Sequence, residues 1–184
     1  EEYLSDSDPT VYEGPGAPEV LVPEDGGEIN ETPGVLVISD GGAPLGQGLV
    51  HSMTLAMDPT LETVIEMTTD LEGAGDGTTG WMFESELVEN TWYYWTAAAS
   101  DDWTTGASMT PASFFFNLVN EPPAAPGINS PLDGAGAADL VLVADVPPDP
   151  DLDAVELILT LELEDGARVE SPPLAGVGPV VSWE

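Results

Sequence analysis

The sequence predicts an all-β protein: two β-sandwiches in tandem, the second lacking its last strands. Three observations carry that expectation. Apolar and polar residues alternate over short runs, the period of a strand with one face in a core and the other in water. Gly and Pro clusters punctuate those runs, and no segment shows helical apolar spacing with caps. The chain also repeats itself: "GAPEVLVPEDGGEI" (16–29) aligns with "AAPGINSPLDGAGA" (124–137) at a spacing of 108 residues, bringing Pro18/Pro126, Pro23/Pro131, Asp25/Asp133 and Gly26/Gly134 into register.

Taken in order, residues 1–14 form an acidic N-terminal segment or linker. The opening "EEYLSDSDPT" has no initiator methionine and reads as a piece of a longer polypeptide. Residues 15–119 make up the first sandwich, with candidate strands near 18–22, 34–38, 49–57, 62–68, 79–84, 91–99 and 112–118. Over 49–57 the residues Leu49, His51, Met53, Leu55 and Met57 share one face. Residues 120–126, "NEPPAAP", form a Pro-rich linker, semi-rigid because proline favours extended backbone.

Residues 127–184 form the second, incomplete sandwich. There "DLVLVADV" answers "GVLVISDG". In "AVELILTLELED" the odd positions Val155, Leu157, Leu159, Leu161 and Leu163 make an apolar row, with Glu156, Thr160, Glu162 and Glu164 opposite. Trp183 matches Trp81, so counterparts of the last two strands of the first sandwich are missing. A sandwich without them exposes apolar rows and open edges. Three solutions satisfy the pattern: a longer polypeptide, strands donated by a neighbouring subunit, or a trimmed sheet that suffices alone.

Composition narrows the function. An apolar share of 42% over 184 residues is enough for packed cores. Asp and Glu total 35 against one Arg168, no lysine and one His51, a formal net charge of -34. Nucleic acid and anionic membrane surfaces are excluded as partners, because binding them needs the cations this chain lacks. So much negative charge repels itself, and salt or bound cations relieve it. Without cysteine there are no disulfides, thiolate nucleophile or thiolate zinc site. No apolar run reaches the roughly 18 residues of a transmembrane segment, and no basic-then-apolar signal segment is present.

The stretch "LVENTWYYWTAAASDDW" carries a resemblance. Leu87, Thr91, Tyr93, Trp95 and Ala97 follow a pattern similar to that of fibronectin type III domains. That likeness implies an Ig-like sandwich in which the tyrosine hydrogen-bonds back to the chain at a corner. Over about residues 15–184 the chain resembles the fibronectin- and cadherin-like repeats of bacterial extracellular proteins. Residues 6–20, "DSDPTVYEGPGAPEV" with Asp6 and Asp8, resemble the tail of Asp-rich bacterial metal-binding repeats. Both likenesses imply secretion or display at a cell surface.

The loop "ADVPPDPDLDAVE" concentrates Asp145, Asp149, Asp151 and Asp153, and calcium takes six to eight oxygens in flexible geometry. Its D-P-D-x-D spacing is similar to the D-x-D loop of cadherin repeats. That resemblance implies Ca2+ ligands from the linker, here Asn120 and Glu121, with Glu86 or Glu89 completing the shell and the ion stiffening the angle between domains. The plain alternative is a solvated acidic loop. The expected role is an extracellular structural or adhesive one: a spacer or filament subunit whose partners are other copies of itself or neighbouring domains. A second reading is a carbohydrate-binding module, with Trp92, Tyr94 and Trp103 stacking on surface glycans. An enzyme is not expected. His51 sits in phase with core residues, no G-x-S-x-G elbow or phosphate loop appears, and Asp101 with Asp102 means little among so many acids.

Overall fold

A computed structural model of the chain describes residues 14–32, 34–43, 48–132 and 141–184. Asp6, Asp8, Asp133, Gly134 and most of the 1–14 segment lie outside the described residues. The described residues contain strands and no helix, and the chain divides into two compact units, Glu1–Val119 and Asn120–Glu184.

The first unit is a β-sandwich of β1 (Val20–Val22), β2 (Gly27–Ile29), β3 (Val35–Ser39), β4 (Val50–Ala56), β5 (Val64–Glu72), β6 (Thr78–Met82), β7 (Thr91–Ser100) and β8 (Ala112–Phe116). One sheet runs β1-β3-β6 and the other β2-β8-β7-β4-β5. Neighbours are antiparallel except β2 and β8, which are parallel. Alternation decides which residues face inward: Leu36 and Ile38 from β3, His51, Met53 and Leu55 from β4, and Tyr93, Trp95 and Ala97 from β7 are all buried.

Residues of both sheets join in one core, in which Tyr93 stacks on Phe114 at 5.7 Å and Phe83 on Phe114 at 6.3 Å. Gly34 is needed here, since a Cβ would come within 2.2 Å of the Phe83 ring. The tyrosine corner is present: the Val88 N–H donates to the Tyr93 hydroxyl at 2.7 Å.

Two details differ from the expectation. Met57 leaves the apolar row and is 49% exposed, because β4 ends at Ala56, where the chain turns around the Asp58 carboxylate. That carboxylate accepts N–H bonds from Thr60, Glu62 and Thr63. The short β2 lacks any alternation signal and exists only because β8 offers it an edge.

The second unit holds β9 (Ile128–Ser130), β10 (Leu142–Asp145), β11 (Glu156–Leu157), β12 (Thr160–Glu162), β13 (Arg168–Glu170), β14 (Leu174–Ala175) and β15 (Val180–Trp183). Its sheet β9-β10-β15 repeats the order β1-β3-β6. The register repeats as well, Leu142 facing Trp183 as Leu36 faces Trp81.

The run 155–164 is not one strand, as its alternation predicts, but two. β11 pairs with β14 and β12 with β13. Between them Ser171 bonds Leu159 through its own N–H and its hydroxyl, both at 2.9 Å, and is followed by Pro172 and Pro173, which have no N–H to continue the ladder. Among the described residues of this unit Ala144, Leu157 and Val181 are the buried apolar ones, with Val146, Val155, Leu159 and Leu174 packed against them. That core is thin beside the aromatic core of the first unit.

Candidate functional site

The acidic loop of the second unit is shaped by its own backbone. The Asp149 carboxylate accepts the Asp151 N–H at 2.9 Å, the Leu152 N–H donates to the Asp149 carbonyl, and Leu152 adopts a left-handed φ of 64°. This turn directs Asp151 inward, to 6% exposure. One Asp151 oxygen, Oδ2, accepts the Glu121 N–H, while the other, Oδ1, is buried without a hydrogen-bond partner. The Asp153 carboxylate accepts from Asn120 Nδ2 at 3.1 Å. Asn120, Glu121, Asp149, Asp151 and Asp153 are thereby tied into one neighbourhood, although about 30 residues of chain separate the two halves.

Electrostatics there oppose the negative charge. Burial pushes the Asp151 carboxyl up; the Glu121 N–H pulls it down in part, and the charges of Glu121 and Asp149 push it up again. A buried carboxylate with one oxygen unsatisfied is costly, and a proton or a hard cation would remove the cost. The donor set is all oxygen, which fits Ca2+ and excludes a soft metal. Among the described residues no three carboxylate or imidazole groups are gathered as a ready-made metal cluster, so a cation would have to draw the side chains in.

Asp145 does not join this group. It ends β10, and its carboxylate accepts from Asn129 Nδ2 while its N–H donates to the Gly127 carbonyl, both across to the β9 side. Glu89 is engaged in the first unit, where it accepts the Leu118 and Val119 N–H groups. Glu86, also a residue of that unit, lines an open cleft with Leu87 and Phe116.

The aromatic residues divide by face. Tyr93 and Trp95 are core, 1% and 0% exposed. Trp92 points outward, 38% exposed, and packs on Phe115 of the neighbouring β8 at 5.4 Å. Tyr94 shares its side of β7 and is half-buried. Trp103 does not extend that row. It follows the far end of β7, and eight residues of strand at about 3.3 Å each put roughly 26 Å between Trp92 and Ser100.

His51 is 1% exposed. Its Nδ1 lies 3.1 Å from the Thr79 hydroxyl and its Nε2 3.2 Å from the Asp40 carbonyl, while Thr79 donates to the Asp40 carboxylate at 2.6 Å. Neither Thr79 nor Asp40 was marked as a partner of His51 by the sequence, because 28 and 11 residues of chain intervene. The group fastens β3, β4 and β6 together with buried hydrogen bonds.

No protein-family model and no curated protein matches the chain. Among solved structures it is similar to the FN1–FN3 domains of chicken CNTN1, at 12% identity and a TM-score of 0.38. That match covers 94% of this chain and 58% of the other, so the chain spans little more than half its length. It is also similar to the fibronectin(III)-like modules of Clostridium thermocellum CbhA, at 15% identity and a TM-score of 0.35, covering 90% of this chain and 77% of that one. The assignment as an all-β sandwich stands on the strand pairings described above.

Proposed function

We propose that this chain is a non-catalytic structural or adhesive segment of a secreted or cell-surface protein, a tandem β-sandwich spacer or filament subunit whose second unit binds Ca2+. The single observation that carries the reading is the buried, unpartnered Oδ1 of Asp151 amid Asn120, Glu121, Asp149 and Asp153. A cation held there cross-links the 149–153 loop to the chain entering the unit, and so fixes that entry mechanically. Sites of this kind in extracellular modules are weak and work at millimolar calcium. The acidic composition supports the same reading, since bound cations relieve the self-repulsion of a net charge of -34.

Calorimetric titration of the chain with CaCl2 at constant ionic strength tests the proposal. Saturable heat is expected for the wild type and for Asp145→Asn, and none for Asp151→Asn. A wild type without saturable heat, or an Asp151→Asn chain that retains it, removes calcium from the account. The second reading, glycan binding, is favoured by one observation: Trp92 and Tyr94 lie on the same outward side of β7. A glycan array on which specific binding disappears with Trp92→Ala would establish it.

A further inference from the structure

The buried group around His51 can be counted proton by proton. His51 lies on β4 in the five-stranded sheet, Thr79 lies on β6 in the three-stranded sheet, and Asp40 directly follows β3 of that second sheet. The His51 side chain is 0% exposed and that of Asp40 19%.

Each contact among the three needs one hydrogen. Thr79 has a single hydroxyl hydrogen and donates it to Asp40 Oδ1 at 2.6 Å. Toward His51 Nδ1, 3.1 Å away, the same hydroxyl oxygen can then only accept. On the other side of the ring Nε2 lies 3.2 Å from the Asp40 carbonyl oxygen, which has no hydrogen to give. Both ring nitrogens therefore face acceptors. A neutral imidazole has one N–H, so one of these contacts would set two lone pairs against each other inside the sandwich. An imidazolium satisfies both.

The counter-charge is in place, since Asp40 Oδ1 is 3.8 Å from His51 Nε2. The alternative arrangement, with the additional proton on Asp40 and the Thr79 hydroxyl turned to Nδ1, puts that proton on the weaker base and the more exposed group. Besides Asp40, the titratable groups on the elements around His51 are Asp70 and Glu72 of β5, Asp76 in the turn before β6, Asp101 and Asp102 after β7, and Tyr93 and Tyr94 toward the opposite end of β7. Asp40, Glu72 and Asp102 line one open cleft of about 630 Å³. The chain's one other basic side chain, Arg168, belongs to the second unit. The acids favour a cation on the ring.

We infer that His51 is a buried imidazolium paired with Asp40, and that the pair is a proton-dependent clasp between the two sheets of the first unit. Loss of the proton leaves two lone pairs in contact and a carboxylate without its counter-ion. This device goes beyond the spacer reading and is independent of the calcium site. A solvated imidazole is mostly neutral above about pH 7. From there upward, unfolding releases a proton that the folded unit keeps, so stability falls as pH rises, and one proton lowers the folded-to-unfolded ratio by up to about tenfold per pH unit.

The test uses the whole chain in EDTA and high salt, which removes calcium and damps the general field of the acids. At about pH 7.5, long-range proton–nitrogen spectra of the nitrogen-15-labelled wild type are expected to show both His51 ring nitrogens protonated. Between about pH 7 and 8 the urea unfolding equilibrium of the first unit, read from the Trp95 indole signal, should shift toward the unfolded form by up to about tenfold. That shift should shrink in Asp40→Asn and disappear in His51→Gln, while the amino terminus, common to all three chains, cancels from the comparison.

A spectrum with one protonated and one bare ring nitrogen overturns the inference. So does an Asp40→Asn chain whose stability falls with pH as steeply as that of the wild type, because the charge would then not be paired with Asp40. The spectra need the wild type alone, so they decide the matter even where neither variant folds.

Discussion

Replacing Asp151 by asparagine is expected to change the thermal stability of the second unit in opposite directions with and without calcium. In EDTA the substitution removes a charge that is 6% exposed, has an unpartnered oxygen, and sits against Asp149 and Glu121. The Asp151→Asn chain should therefore melt at or above the wild type, since a neutral amide is the cheaper group to bury there. With calcium about a hundredfold above the Kd measured by titration, a site present only in the folded state adds about 2.7 kcal/mol. A unit of this size shifts by roughly 4–8 °C per kcal/mol, so the wild-type transition should rise by about 10–20 °C while that of Asp151→Asn stays where it was in EDTA. Differential scanning calorimetry at matched ionic strength reads both arms. Asp145→Asn is the control that keeps the shift, because Asp145 is bonded to Asn129 and not to the loop. Curves of wild type and Asp151→Asn that rise together in calcium, or an Asp151→Asn chain already destabilised in EDTA, would refute the reasoning.

Other outcomes follow from the first unit. Trp95→Ala empties the centre of its core and should cost about 3–5 kcal/mol, read as a lower urea midpoint by fluorescence of the remaining tryptophans. Tyr93→Phe leaves the Val88 N–H without its hydroxyl acceptor and should cost about 1–3 kcal/mol with the same readout.

Acid should weaken this unit in a defined window. The Asp58 carboxyl is held well below its ordinary value, chiefly by the Thr60 hydroxyl and then the Thr63 N–H, and the Thr78 hydroxyl lowers Asp76. For Glu66 burial pushes upward, but the Ser85 and Glu84 hydrogen bonds outweigh it. A carboxyl depressed by folding contributes stability above its unfolded pKa, here 3.8 for Asp and 4.5 for Glu, and loses it as pH falls through the folded value. Urea midpoints should therefore decline from about pH 4.5 downward, and Asp58→Asn should flatten part of that slope. Limited trypsin digestion should cut at Arg168 alone, which is 67% exposed on its side chain and begins β13.

The longer strands of the first unit were legible because each carries its own signal. The alternation around His51, Met53 and Leu55, and the pattern from Leu87 to Ala97, state a burial face in local sequence. So was the repetition of the unit, down to Trp81 and Trp183, since both tryptophans hold the same register opposite Leu36 and Leu142. β2 was not legible. A three-residue parallel edge strand is defined by its partner β8 and not by its own composition. The break between β11 and β12 was hidden for a related reason, because the prolines responsible lie on the opposite strand.

By itself the sequence determined the fold class and the duplication, and it supplied the acidic and amide residue types of the 120–121 and 149–153 segments. Each of these depends on composition or on neighbours within a few positions. Tertiary structure alone decided which acids meet: Asp151 is turned inward beside Glu121 and Asn120, and Asp145 is drawn away to Asn129. It also decided that His51 belongs to a buried hydrogen-bonded group with Thr79 and Asp40. The physical reason is the same in each case. A carboxylate or imidazole is fixed by the partner folding brings to it, and spacing along the chain does not encode that partner.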